Sequence, residues 1–152
     1  MVEKAKPRVN VRFVFNYTAN LAATRAFYVE LLGMEQGDFN DEYGFLIVTS
    51  EGLDLCFFRA QKEFAPLAEW ADQPGYQAGP LEVTSYAVQV PWEDFPATVR
   101  RLKVGGAPTL AAAPEWRMNS HWGFTVRDPM GNTVEVYAVP KEKPASSIWP
   151  GP

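Results

Sequence analysis

The imidazole and thiol groups that most often carry acid–base, nucleophilic or transition-metal chemistry near neutral pH are scarce in this sequence. It contains one histidine, His121, and one cysteine, Cys56. A lone imidazole cannot supply the several nitrogen ligands usual at a zinc or iron centre. His121 stands just before a β-rich run that starts at Trp122, which suggests a surface or rim position. Cys56 lies inside an apolar run and reads as a small buried hydrophobe; a single thiol makes no internal disulfide. Aromatic residues are the more conspicuous resource, at 14% of the chain with five Trp and ten Phe. Such rings offer contact area to planar or apolar ligands, although packing is the commoner role of any one of them.

The elements that must position these groups are read from hydrophobic period. Val9, Val11, Phe13, Phe15 and Tyr17 recur at period two and predict a strand with one aromatic face. Asn20 offers a helix N-cap. Leu21, Thr24, Phe27, Tyr28, Leu31 and Leu32 follow at helical spacing for about three turns, and Gly33 supplies the stop. Runs at 43–49 and 53–59 read as a hairpin joined through Ser50-Glu51-Gly52. Residues 60–80 carry charges, Pro and Gly around a short amphipathic piece at Phe64, Leu67 and Trp70, and read as a connection.

The same order then recurs. A strand is predicted over 83–90, a helix over 92–104 ended by Gly105-Gly106, and a hairpin from 122–126 and 133–139 around Asp128-Pro129-Met130-Gly131-Asn132. The residues between that helix and hairpin read as a Pro- and Ala-rich linker, and those after Val139 as an irregular tail. The chain is thus expected to be one α+β domain over 1–152. It is read as tandem modules at about 9–60 and 83–139, a connection at 61–82 and a tail at 140–152.

Charge narrows the function classes. The net charge is −4, and the fourteen Lys and Arg are scattered rather than gathered into a stripe, so no nucleic acid is expected as partner. Apolar runs are soon broken by charges and Met1 to Pro7 lack an apolar signal core, so a cytoplasmic location away from the membrane is expected.

Two motifs carry a family resemblance. Asn20-Leu21, Ala26-Phe27-Tyr28 and Leu31-Leu32-Gly33 form one; Trp122-Gly123-Phe124, Asp128-Pro129-Met130-Gly131-Asn132 and Glu135 form the other. Together they resemble the vicinal oxygen chelate superfamily of glyoxalases, bleomycin resistance proteins and extradiol dioxygenases. That resemblance implies two βαβββ modules shaping a cup-like mixed β-sheet with helices outside. The motif residues themselves have structural reasons: helix rings that cover a sheet, and a turn whose Asp and Asn bond the backbone.

In metal-dependent members four inward side chains hold a divalent ion. Carried over by resemblance, the histidine positions fall on Phe13 and on or next to Ser85, and the carboxylate positions on Asp54 and Glu135. Phenyl and hydroxyl groups do not replace imidazole, so no cofactor is expected. A hard ion held by Asp54 and Glu135 through waters is the lesser alternative. The resemblance then implies a metal-independent binder of an aromatic or amphipathic small molecule. Its ligand would meet Phe13, Phe15, Tyr17, Asp54, Phe58, Ser85, Trp116, Trp122 and Glu135, with Glu135 a buried or half-buried acceptor. Pairing of modules within or between chains implies a homodimer with grooves at the interface. The rival reading is a lyase, isomerase or dioxygenase with an atypical metal site, or a metal-free catalyst with Glu135 as general base.

Overall fold

The computed structural model describes residues 9–71 and 84–151, so Val83 and the second half of the connection lie outside the described residues. The first module runs β1 (Phe13–Thr18), α1 (Leu21–Arg25) continued by a π-helical stretch (Ala26–Leu31), β2 (Glu35–Asn40), β3 (Phe45–Thr49) and β4 (Asp54–Arg59). The second runs β5 (Ser85–Gln89), a 3-10 turn (Trp92–Asp94) leading into α2 (Phe95–Val104), β6 (Glu115–Arg117), β7 (His121–Arg127) and β8 (Thr133–Ala138). Each module forms its own four-stranded sheet, in the order β1-β4-β3-β2 and β5-β8-β7-β6. The first strand pairs in parallel with the last in both, and the other pairs are antiparallel. This is the α+β architecture of paired βαβββ units expected from the sequence.

The first helix starts where its cap predicts: Asn20 Oδ1 accepts from Ala23 N–H at 2.9 Å. Its second half differs from the regular helix expected. Leu32 N–H bonds to Phe27 O at 3.0 Å, five residues back, so the turn is widened. The adjacent rings Phe27 and Tyr28 are both buried there. Two consecutive large side chains cannot both sit at the centre of a regular apolar stripe, and the widened turn accommodates them.

The outer strands β2 and β6 were not visible as hydrophobic runs. Residues 60–71 form no helix, so the short amphipathic piece is corrected to irregular chain: Phe64 is exposed, and Trp70 lies under the Arg127 guanidinium at 3.9 Å. The tail is irregular as expected, but Trp149 docks against Trp122 and Phe95, with ring centroids 5.0 and 5.4 Å apart.

Along β1, Asn16 and Thr18 are buried on the helix side, where Thr18 Oγ1 meets Thr24 Oγ1 at 2.8 Å. The two helical layers meet each other: Arg101 Nε donates to Leu31 O at 3.0 Å, and Tyr28 OH donates across modules to Asp128 Oδ2 at 2.7 Å. One apolar cluster, including Phe27, Tyr28, Phe95, Leu102 and Phe124, therefore serves both modules. Asp128 also ties its own turn, its Oδ1 accepting from the Met130 and Asn132 N–H groups at 2.9 Å. Gly131 completes that turn at φ +85°, and a Cβ there would collide with the Leu67 backbone. Both family motifs thus have the structural roles expected of them. No helix among the described residues is long and apolar enough to cross a membrane.

Candidate functional site

Because the helices cover one face of each sheet, the other face is where chemistry can meet solvent. On the first sheet this face is aromatic. Phe13, Phe15 and Tyr17 are 47%, 62% and 66% exposed, with Phe13 and Phe15 centroids 6.3 Å apart and Phe15 and Phe58 5.7 Å apart. Register sets Asp54 beside Phe13, Cys56 beside Phe15 and Phe58 beside Tyr17. Cys56 is buried as expected; burial and then the Asp54 charge raise its thiol pKa, which keeps it protonated.

On the second sheet the corresponding face is polar. Pairing places Glu135 between Ala87 and Thr125, and Tyr137 between Gln89 and Gly123. Glu135 is 5% exposed, the buried acceptor expected. Its partners come from β6 and the start of β7. Arg117 Nη1 lies 3.4 Å and His121 Nε2 3.1 Å from Glu135 Oε1. The Arg117 guanidinium, itself 8% exposed, also donates to Thr125 Oγ1 at 2.8 Å and to Glu115 Oε2 at 2.7 Å. A buried carboxylate beside a permanently charged guanidinium is stabilised by mutual attraction and multiple hydrogen bonds.

Gly123 makes room for this pair. A Cβ there would stand 2.7 Å from Glu135 Oε1 and 3.0 Å from Arg117 Cδ, so any larger residue would displace one of them. On the other side of Glu135, His121 Nδ1 meets Ser120 Oγ at 2.7 Å, and its ring centroid lies 5.2 Å from that of Tyr137. Tyr137 OH in turn donates to Gln89 Oε1 at 3.1 Å.

The expected site residues are thus divided. Phe13, Phe15, Tyr17, Asp54 and Phe58 share one face, and Glu135 lies on the other sheet. Ser85 is exposed but pairs with Thr133; the neighbour of Glu135 on β5 is Ala87. Trp116 and Trp122 are corrections. They pair with each other on the helix side, their centroids 5.4 Å apart, and Trp122 is 1% exposed in the core. Strand parity is the reason: each alternates with a residue of the polar face. His121 is corrected in the opposite sense, since its side chain is 14% exposed and bonded to Glu135. Arg117, Thr125 and Gly123 were missed as site residues. Parity with Glu135 along the paired strands marks Gly123 and Thr125, whereas nothing in the sequence marks Arg117.

The donor set does not suit a divalent ion. Phe13 and Ala87 offer no ligand atom, Glu135 already faces a guanidinium, and among the described residues no three His, Cys, Asp or Glu side chains gather closely enough for a metal.

Comparison with known proteins agrees with this architecture. The sequence matches the glyoxalase/bleomycin resistance protein/dioxygenase superfamily over residues 12–136. The chain belongs to that superfamily. No curated protein matches it. Among solved structures, a glyoxalase/dioxygenase from Nostoc punctiforme is similar at TM-score 0.67 and 14% identity, covering 93% of this chain and 100% of that one. The oxidase ChaP-H2 is similar at TM-score 0.65 and 18% identity, covering 88% and 96%. A lactoylglutathione lyase from Agrobacterium tumefaciens is similar at TM-score 0.60 and 21% identity, covering 88% and 96%. At such identities the glyoxalase likeness speaks for the fold, while the site has to be read from its own residues.

Proposed function

We propose that this glyoxalase-superfamily chain is a metal-independent binding protein for a planar aromatic or amphipathic small molecule. The observation that carries the reading is the exposed stripe of Phe13, Phe15 and Tyr17 along one strand with Phe58 beside it. Solvent-facing rings contiguous on one sheet face are unfavourable unless something covers them. Their faces suit stacking and apolar contact, and the Asp54 carboxylate beside them would favour a donor on the ligand.

The polar wall of Glu135, His121, Gln89 and Tyr137 belongs to a different sheet, and the two sheets share no strand pairing. A homodimer in which the aromatic wall of one copy faces the polar wall of another would complete a cup. This arrangement rests on the outward faces and on the superfamily's modular pairing.

Calorimetric titration with planar aromatic compounds, with sedimentation to follow the oligomer, tests the reading. Binding is expected to saturate at one ligand per cup and to be lost in Phe15→Ser without loss of fold. Binding unchanged in Phe15→Ser, or a stoichiometric transition metal in the purified protein, would refute it.

A further inference from the structure

One group of side chains in the polar wall is ordered beyond what ligand capture requires. Ser120, His121 and Glu135 form a continuous hydrogen-bonded line: Ser120 Oγ to His121 Nδ1 at 2.7 Å, then His121 Nε2 to Glu135 Oε1 at 3.1 Å. The protonation pattern follows from the last contact. A carboxylate only accepts, so Nε2 carries the imidazole proton and donates it. In the neutral imidazole Nδ1 then presents its lone pair and accepts from the Ser120 hydroxyl. This orders a hydroxyl, a base and an orienting carboxylate as nucleophilic catalysis requires.

The carboxylate end is firmly held. Arg117 fixes Glu135, Gly123 leaves space for both, and Tyr137 packs on the imidazole ring. The hydroxyl end is open. Ser120 is exposed and closes a tight turn in which its N–H bonds to Arg117 O at 3.0 Å, with Met118 at φ 51° and Asn119 at φ 55°.

We propose that Ser120, His121 and Glu135 constitute an acyl-transfer site acting on esters of phenols. Ser120 Oγ attacks the ester carbonyl carbon while its proton passes to His121 Nδ1. The carbonyl electron pair moves to oxygen; it returns as the bond to the phenolic oxygen breaks, and His121 gives the proton to the departing phenolate. Water then attacks the acyl-Ser120 carbonyl, His121 again takes and returns the proton, and the carboxylic acid leaves. Among the described residues His121 is the acid in contact with Ser120 Oγ, and a weakly basic phenolate asks less of it than an alkoxide would. Ser120 and His121 are the catalytic residues, and Glu135 is a positioning residue.

All three side chains lie within one module, so the proposal does not depend on an assembled cup or on the binding reading. p-Nitrophenyl acetate is the probe, followed by nitrophenolate release and by mass mapping of the acetylated protein. A burst of one equivalent is expected, with the acetyl group on Ser120. Ser120→Ala and His121→Ala should each abolish the burst, and the exposed position of Ser120 makes the first a variant that keeps its fold. Glu135→Gln can still accept from Nε2 without supplying charge. It should lower the acylation rate by about 100-fold and leave KM unchanged. No acetyl on Ser120, or an adduct that persists in His121→Ala, overturns the site; an unchanged acylation rate in Glu135→Gln overturns the role given to Glu135. Aromatic-ligand titration reads the binding proposal separately, since it needs no intact Ser120.

Discussion

Replacing Arg117 by Met removes the guanidinium from the polar wall and keeps most of the side-chain volume. Glu135, 6% exposed at its side chain, then keeps His121 as its close polar partner among the described residues. Breaking a buried ion pair from one side costs about 3–5 kcal/mol, because a desolvated charge remains without its counterion. The lost donation to Thr125 Oγ1, an atom of a buried residue, adds about 1 kcal/mol. The Glu115 contact adds little, since that carboxylate is 55% exposed and water replaces the guanidinium. His121 offsets part of the sum, so we expect a loss of about 3 kcal/mol. Urea unfolding measures it, as a lower midpoint with unchanged slope. The double variant Arg117→Met with Glu135→Met removes both charges, and should recover to within about 1 kcal/mol of the parent. A single-variant loss below about 1 kcal/mol would show that the pair is solvated and that the wall is not held as described.

Gly123→Ala should destabilise the fold by about 1–3 kcal/mol, because its methyl group would meet Glu135 Oε1 at 2.7 Å; thermal melts check this, and Arg117→Met should absorb part of the penalty. Tyr28→Phe removes the 2.7 Å donation to Asp128 across the modules, and a loss of about 1.5–3 kcal/mol by urea unfolding is expected for a bond to a charged acceptor. Asp128 also predicts a pH dependence. Burial raises its carboxyl from the ordinary 3.8, outweighing the bonds from Asn132, Met130 and Gly131 that lower it. The folded state then holds the proton to higher pH than the unfolded chain, so this group's contribution is complete below about 3.8 and is lost as pH rises through the folded value. The stability advantage of the parent over Asp128→Asn should therefore narrow as pH is raised above 3.8, and a gap that widens over that range would contradict the burial argument.

The central strands were legible because burial imposes a period on them. Phe13, Phe15 and Tyr17 alternate with residues that face the helix, and the Asp128–Asn132 turn is written in residues with definite backbone chemistry. The strand β2 was not legible: Glu35 to Asn40 form an outer strand with no buried residue and an irregular register between Gln36 and Phe39, so no apolar alternation marks it. The strand β6 has three residues inside a Pro- and Ala-rich stretch, which concealed Arg117. The Trp122 error has a different origin. In Trp122-Gly123 the larger residue looks like the site residue, yet pairing gives the inward place to the smaller one, whose lack of a side chain is what admits Glu135 and Arg117. His121 was set on the rim because the strand was started one residue late, at Trp122, which left its first residue, on the same face as Gly123, outside it.

The missing histidine positions and the Arg117 pair belong to one argument. A buried carboxylate at the position of Glu135 needs a positive partner or must give up its charge. Where a metal ion is bound, the ion is that partner; here the guanidinium stands 3.4 Å from the same oxygen and His121 stands 3.1 Å from it. Losing imidazole ligands alone would leave Glu135 uncompensated, so the substitution pattern is self-consistent only with the arginine present. Glu115 and Glu135 share the one Arg117 guanidinium, and the negative charge left over falls on Glu115, 55% exposed and screened by water, so the buried Glu135 is balanced without a charge from a ligand. In the proposed cup, selection would fall to the exposed rings and to neutral donors and acceptors such as Gln89 and Tyr137. An ion entering it would first have to displace a guanidinium held by Glu115, Thr125 and Glu135 together.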